Sequence, residues 1–564
     1  MKVALVERSD FGAGTSGRST KLIHGGIRYL ETAFMKLDIA AYKLVSSFLG
    51  NAFHDSSSSS EKVLEALEER KHMLAAAPYM NRALPIMIPI YTWSEIPYMW
   101  VGAKMYDFVA GHGRSVPGSY YIDSDEAMYQ YPNLKKDGLK GAIVYYDGQM
   151  NDTRMNLSLV LTAVQSGATA ANYVQVQRLL KDNDGNVCGV HVQDTHTGEQ
   201  WDIHARAVIN ATGPFTGTVS SKTHNGLGLE LVSANELVRV CVIDDIRLMD
   251  NPDADKICVP AAGVHVVLPD HFSPNRMGLI IPKTTDGRVL FYLPWENGTL
   301  AGTTDSESAI TMLPSPTKAE VQFILNESNR YLNATVTEAD VRSSWSGIRP
   351  LVKDPRHPTN TSQISREHVL DVSPSKMVTI AGGKWTTYRR MAQDTIDKVQ
   401  ALFPDLAQDA CKTRMMQLVG ADRIGEVCSQ KFDRITITLR EKYHMDKDIA
   451  EHLTKNYGTR ALQLGELEKC GFLHRKAGDH PKRLHPKYPY VESEVIFAVQ
   501  QEYAVRAVDV LARRTRLAYI DAVATEQVMD KVIAMMAQLL KWDKKRCAAE
   551  KDEALAFLAT MHTK

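Results

Sequence analysis

Hydrophobic residues fall along this chain in short continuous runs, alternating stretches and helical repeats, and each kind predicts an element. Val3-Ala4-Leu5-Val6 ends in Glu7 and a loop rich in glycine and hydroxyl groups, which predicts a buried parallel strand with an acid at its tip. Residues 34–53 repeat apolar groups at helical spacing (Leu37, Ala40, Ala41, Leu44, Phe48), and the Ser56–Ser60 run predicts a flexible surface insert. A charged amphipathic helix is predicted from Val63 to Met73. Leu84–Trp93 and Ile96–Trp100 are dense in apolar and aromatic groups, but Pro85, Pro89 and Pro97 rule out a spanning helix. A buried strand with loops is favoured there over a surface that dips into a bilayer. Gly141–Gly148 predicts a strand and turn, Asn156–Gly167 a helix ended by its glycine, and Val174–Leu180 with Val187–Gln193 a hairpin. The hairpin turn, Asp182–Asn186, lacks the glycine and glutamate that a calcium loop needs, so a plain turn is expected. Ala205–Asn210 reads as a further strand. Between residues 240 and 350, β-branched runs such as Gly263–Leu268, Val289–Leu293 and Leu300–Asp305 predict a mainly antiparallel sheet. Past residue 412 the pattern turns helical, with Ile449–Tyr457, Glu494–Tyr519, Thr525–Leu540 and Asp543–Met561 as the main helices.

With 564 residues the chain can bury several cores, so two or three domains are expected. Sixty-six Lys and Arg balance 66 Asp and Glu, so no global basic field recruits nucleic acid and any anion site must be local. Seven cysteines are scattered without C-x-x-C spacing, which argues for free thiols and against a disulfide or zinc framework. No apolar run is long enough to span a bilayer and no signal peptide opens the sequence, a pattern compatible with monotopic attachment.

The most specific stretch is Gly12-Ala13-Gly14-Thr15-Ser16-Gly17 leading into Ser19-Thr20-Lys21-Leu22-Ile23-His24-Gly25-Gly26-Ile27-Arg28-Tyr29-Leu30-Glu31. It closely resembles the flavin loop of FAD-dependent glycerol-3-phosphate dehydrogenases. The physical chemistry agrees: glycines let backbone N–H groups approach a pyrophosphate, and Thr15, Ser16 and Ser19 add donors without bulk. A polar turn alone leaves His24-Gly25-Gly26, followed by a cation and a phenol, unexplained. The resemblance continues at Ala211-Thr212-Gly213, at the G-V-H-V-V around His265, at Trp345-Ser346-Gly347-Ile348-Arg349-Pro350-Leu351, at Met377–Arg389 and at Glu502–Arg516. It departs at Gly217, where the family usually carries an acid.

The resemblance implies an α/β chain, α+β overall: a two-dinucleotide-domain flavoprotein with an incomplete Rossmann-like FAD domain at 1–240 plus 355–411. An antiparallel β substrate domain at 241–354 and a helical C-terminal cap at 412–564 complete it. It implies oxidation of glycerol 3-phosphate to dihydroxyacetone phosphate, a quinone acceptor, and a mitochondrial, inner-membrane-associated location, with peripheral membrane association and oligomerisation open. FAD contacts fall to Glu7, Gly14, Thr15, Ser16, Ser19, Lys21, Leu22, His24, Gly25, Gly26, Ala211, Thr212, Gly213, Gly382, Gly383 and Lys384. Substrate contacts fall to Arg28, Tyr29, Arg349, Lys384 and Thr386, and His265 is the candidate base, with Arg349 beside it. A lone mid-strand histidine is by default a core residue, and an arginine is often a structural salt bridge, so both alternatives stand at this stage. After the strand Met377–Ala381 comes a glycine pair, and then a helix with Met391, Ile396, Val399 and Leu402 on its apolar face, capped by Thr386 or Thr387. In a dinucleotide-binding unit the ribose-binding acid lies about 20 residues after G-x-G-x-x-G, so the chain reads as opening at the second strand of that unit. Without the first strand it is expected to hold FAD poorly, and a non-catalytic fragment is a second reading. A glycerol-phosphate oxidase that uses oxygen is a third.

Overall fold

Cys258–Pro269 alternates apolar side chains with Gly263 and His265, and this strand is the axis of a ten-stranded sheet. The computed structural model describes residues 2–24, 59–109, 115–214, 243–255, 257–281, 284–352, 368–406, 409–421, 428–468 and 480–562. Within it the axis strand pairs antiparallel with Ser343–Val352, from Cys258 opposite Val352 to Val267 opposite Ser343, and with Gly298–Gly302 on its other edge. The sheet continues through Leu290–Trp295 and Gly278–Ile281, then recruits Arg82–Ile90, Gly141–Gln149 and Leu22–Ile23 from the first part of the chain. Gly278–Ile281 runs parallel to Arg82–Ile90; the other neighbours on this path are antiparallel. The expected antiparallel sheet is therefore present and reaches beyond its expected segment.

Strand alternation sends one set of side chains to each face. Val264, Val266 and Leu268 pack with Val321, Ile324 and Leu325 of the helix Lys318–Tyr331. On the other face Val267, Leu300, Trp295 and Trp345 form one core with the C-terminal helices, including Val495, Leu511, Tyr519 and Phe557. His265 and Arg349 belong to this second face, beneath the loop that carries Thr15 and Thr20.

Of the smaller sheets, two contain a parallel pair, and the third, Val174–Lys181 with Val187–Asp194 and Gln200–His204, is antiparallel. Ala4–Glu7 runs beside Thr169–Asn172, and Ile209–Asn210 beside Val378–Gly382, with His368–Val372 antiparallel to the latter. The first strand is less buried than its apolar run suggests, with Val3 55% and Leu5 43% exposed. Among the described residues it pairs along one edge only, so neighbours cover only part of it. The strand expected at Ala205–Asn210 is confined to Ile209–Asn210.

Other expectations shift locally. The strand Gly141–Gln149 does not turn at Gly148, because Leu22–Ile23 crosses there and packs Ile23 where a side chain would stand. Arg82–Ile90 is a largely buried strand, whereas Glu95–Val109 is a helix with Pro97 in its first turn, where a missing N–H costs nothing. That helix leaves Trp100, Val101 and Phe108 exposed, so the buried reading holds for the strand and not for the helix. The helix expected at Val63–Met73 spans Ser59–Ala76, and the hairpin at Val174–Lys181 and Val187–Asp194 closes with Asp182 accepting from the Asp184 and Asn186 amides. In the C-terminal part a helix not expected, Cys428–Tyr443, packs on Lys447–Tyr457. The single helix expected at Glu494–Tyr519 is broken after Gln501. Buried Glu502 there is held by Arg154 and Arg460, and that pairing overrides helical periodicity. The helix expected at 34–53, most of the serine run, and Gly25, Gly26, Arg28, Tyr29 and Gly217 lie outside the described residues.

Candidate active site

Antiparallel register places His265 opposite Trp345 and Ala261 opposite Arg349, so His265, Gly263 and Arg349 share a face. Gly263 is what lets the Arg349 fork lie across that face: a Cβ there would come within 2.5 Å of Nη2 and 2.6 Å of the Thr303 hydroxyl. Arg349 donates to Asp305 at 2.6 Å, to the Thr304 carbonyl at 3.0 Å and to Thr303 Oγ1 at 3.2 Å. The salt bridge expected as the plain alternative thus exists, but it is partly exposed and worth at most about 1 kcal/mol. It leaves the fork oriented along the surface.

The His265 ring stacks on Trp345 with centroids 5.4 Å apart, and its Nε2 is 3.0 Å from Thr20 Oγ1. Burial, and then the cations Lys21 and Arg349, hold its imidazolium well below the usual range, so the ring is neutral near pH 7. Its Nδ1 is buried with no hydrogen-bond partner among the described residues. An orphaned ring nitrogen is unusual in a packed core and suits an incoming donor.

The N-terminal loop reaches this sheet through Gly347, where a Cβ would stand 2.8 Å from the Arg18 carbonyl. Close approach lets Thr15 Oγ1 donate to the Ile348 carbonyl at 2.6 Å and Arg18 to the Ser346 carbonyl at 3.0 Å. Ser19 donates its amide and hydroxyl to Asp152 at 3.0 and 2.8 Å. Lys21 is fully buried, its ammonium 2.8 Å from Asp152 and 5.2 Å from the Trp295 and Trp345 rings, so its side chain braces the loop rather than facing a ligand. Burial lowers it to about 8 against the pull of Asp152. Leu22 is buried in the sheet.

A third piece closes from the C-terminal side. Val378–Gly382 ends in Gly382 and Gly383 at φ 76° and 79°, and a 3-10 turn, Trp385–Thr387, leads into the helix Tyr388–Leu402. Trp385 Nε1 donates to the Ser16 carbonyl at 3.0 Å and Thr386 to the His24 carbonyl at 3.4 Å, which brings Lys384 beside the loop. The expected helix cap differs: Thr387 sits at the N-cap, but its hydroxyl donates to the Lys384 carbonyl, because the 3-10 turn occupies the space of a cap. Ala211 and Thr212 follow the strand Ile209–Asn210 and are exposed, with Thr212 donating to Asn210, and Gly213 adopts φ 66°.

These residues fit FAD. Glu7 stands at a parallel strand's C-terminal tip, and its carboxyl, which accepts from the Ser9 amide at 2.9 Å, is pushed up to about 7 by desolvation and then by Asp10. The bonds inside the Thr15–Gly17 turn use the Gly17 and Arg18 amides and leave those of Thr15 and Ser16 to other acceptors. Sequence reading missed Thr20, Asp152, Trp385 as a tie to Ser16, and the Thr303–Asp305 partners of Arg349. Thr20 and Trp385 lie inside the quoted motifs, but nothing local marks Asp152.

A family model described as FAD dependent oxidoreductase matches residues 1–389, and one described as the C-terminal domain of alpha-glycerophosphate oxidase matches residues 411–547. The chain is 43% identical over 561 residues to a probable mitochondrial glycerol-3-phosphate dehydrogenase of Caenorhabditis elegans, covering 99% of this chain and 70% of that protein. Identity to the mitochondrial glycerol-3-phosphate dehydrogenase of Homo sapiens is 41% over 568 residues, again 99% of this chain and 70% of the relative. Among solved structures, the glycerol-3-phosphate dehydrogenase from Bacillus halodurans complexed with FAD has the same fold, with TM-score 0.72 at 24% identity, covering 99% of this chain and 90% of that one.

Proposed function

The chain belongs to the FAD-dependent glycerol-3-phosphate dehydrogenases, and from that premise we propose that it oxidises sn-glycerol 3-phosphate to dihydroxyacetone phosphate and passes the electrons to a quinone. The observation that carries this reading is the pairing, on one sheet face, of a neutral His265 with an unsatisfied nitrogen and the Arg349 fork laid over Gly263. FAD, when bound, supplies the acceptor for the hydride leaving C2. His265 takes the C2 hydroxyl proton on its unprotonated ring nitrogen, with the Nε2 contact to Thr20 orienting the ring. Arg349 and Lys384 hold the phosphate, the first as a planar fork and the second as a point charge. Thr386 and Trp385 fix Lys384 against the loop, and the Trp345 stack keeps water from the imidazole. Arg28 and Tyr29 are assigned to the phosphate and the polyol by their motif alone.

The electrons leave, in this proposal, at a mitochondrial inner membrane surface to which the protein docks without crossing. No helix among the described residues is long and apolar enough to span one. The helix Glu95–Val109 and the turn before it present Trp93 and Phe108, 66% and 62% exposed, with Lys104 4.4 Å over the Trp100 ring. Aromatic groups backed by a cation suit a headgroup boundary.

The test is turnover of glycerol 3-phosphate by flavin-replete protein, with and without a short-chain quinone. Quinone-dependent turnover with little peroxide supports the reading, and Arg349→Ala should lower kcat/KM by about 2 to 4 kcal/mol in activation free energy. Peroxide formed in equal amount to product, whether or not quinone is present, would make the protein an oxidase.

A further inference from the structure

We infer that the C-terminal domain is a working part of the flavin site: Arg514 and Arg516 are positioning residues that set the shape of the loop from Asp10 to Lys21, an inference that rests on assigning that loop to FAD. The contacts span 504 and 499 residues of sequence. Arg514 forms a fork on Asp10, with Nη1 and Nη2 donating to the two carboxylate oxygens at 2.7 and 2.9 Å, and the Asp10 carbonyl accepts from the Ala13 amide at 3.0 Å. Arg516 donates to the Gly17 carbonyl and to Asp152 Oδ1, both at 3.0 Å, and to Thr153 Oγ1 at 2.6 Å. Asp152 Oδ2 takes the Ser19 amide, the Ser19 hydroxyl and Lys21 Nζ. Both ends of the loop are therefore fastened to side chains from one turn of a distant domain.

Every group in this clamp is buried: Asp10 and Asp152 are fully enclosed, and Arg514 and Arg516 nearly so. In such surroundings losing the Arg514 fork leaves Asp10 with only Arg513, 3.7 Å away, and losing Arg516 leaves Asp152 with Lys21 alone, so each arginine is needed to hold its own end of the loop. The arginines are positioned in turn by unusual backbone. Asp509–Arg514 winds as a π-type turn, with the Thr515 amide donating to the Val510 carbonyl at 3.0 Å, and Arg516 adopts φ 66°. The Arg516 guanidinium lies 4.2 Å from the Tyr519 ring centroid, so a planar group is required there. What the clamp fixes is the direction of the Gly17 carbonyl, which points at Arg516. With that peptide held, the preceding turn and Ser16, tied to Trp385, keep their orientation before the cofactor arrives.

The experiment is hydrogen exchange of the full chain without added FAD, followed by FAD titration through flavin fluorescence. Wild type, Arg514→Lys, Arg516→Lys and Asp10→Asn are compared with Arg154→Lys, which loosens the same two domains at Glu502 and reaches the loop only indirectly, through the Glu502 carbonyl that Arg514 also holds. Lysine keeps the charge and folding while removing the fork. We expect peptides covering residues 9–24 to exchange roughly tenfold faster in the first three variants, with Ser343–Val352 unchanged, and FAD to bind roughly tenfold more weakly. Arg154→Lys should lower melting temperature without this selective loop response. A loop that exchanges as in wild type, or that loosens equally in Arg154→Lys, overturns the clamp. A selectively loosened loop with unchanged FAD affinity overturns instead the loop's assignment to FAD.

Discussion

The two halves of the site are held by different forces. His265 and Arg349 stand on hydrogen-bonded strands whose register fixes their relation, and the His265 strand is paired on both edges. The loop Asp10–Lys21 has almost no regular structure; a 3-10 turn of three residues is its only element, and side-chain charges from helices far away in sequence keep it in shape. A register is robust to single substitutions because many backbone bonds share it. A charged network is not, since removing one partner leaves another charge buried. Side-chain chemistry should therefore fail gracefully on the sheet and abruptly around the loop.

The largest effect is expected where the network binds the two domains. Arg154 forks onto Glu502 at 2.6 and 3.0 Å, and both are fully buried. Arg154→Ala should cost about 3 to 5 kcal/mol of stability, read from denaturant midpoints. A loss below about 1 kcal/mol would mean that the network is not what joins the domains.

Acid should attack the same place. Burial alone would raise the Glu502 carboxyl, but Arg154, Arg460 and Arg514 outweigh it and hold it down to about 2, against 4.5 when unfolded. A depressed acid contributes its stability in full above the unfolded value and loses it as pH falls through the window from about 4.5 to about 2. By this linkage about 3 kcal/mol should disappear across that window, and a Glu502→Gln variant should show a flatter acid limb. An identical slope in both proteins would show that other carboxylates dominate.

On the sheet, His265→Gln should leave the fold and flavin in place and lower kcat on the order of 100-fold, the usual size of general-base assistance. Normal turnover with a lowered melting temperature would return His265 to a packing role beside Trp345. The mildest change is Gly263→Ala. Its new methyl would meet the Arg349 fork and the Thr303 hydroxyl, both movable, so a cost of about 1 to 2 kcal/mol in substrate binding is expected, seen as a raised KM with kcat largely kept. An unchanged KM would mean that Arg349 holds substrate from another position.

What could be read from residues alone follows from which interactions are local. The axis strand, the hairpin around Asp182 and the glycine pair at Gly382 and Gly383 were legible because alternation and turn chemistry act over a few residues. The motifs around Thr15, His265, Arg349 and Lys384 were legible too, and identity of about 43% to relatives accords with the family they suggested. Periodicity could not show that Glu502 interrupts a helix, since the force there comes from Arg154, some 350 residues earlier, and the Glu95–Val109 helix was hidden because Pro97 signals a break unless it lies in a first turn. The sequence by itself determined the main strands of the central sheet and the motifs in which chemistry could reside. Tertiary structure alone decided that Thr20 would meet His265, that Gly263 and Gly347 would leave room for Arg349 and the loop, and that Asp152 and Arg516 would brace it, because each depends on packing between segments whose spacing in the chain encodes nothing about their distance in space.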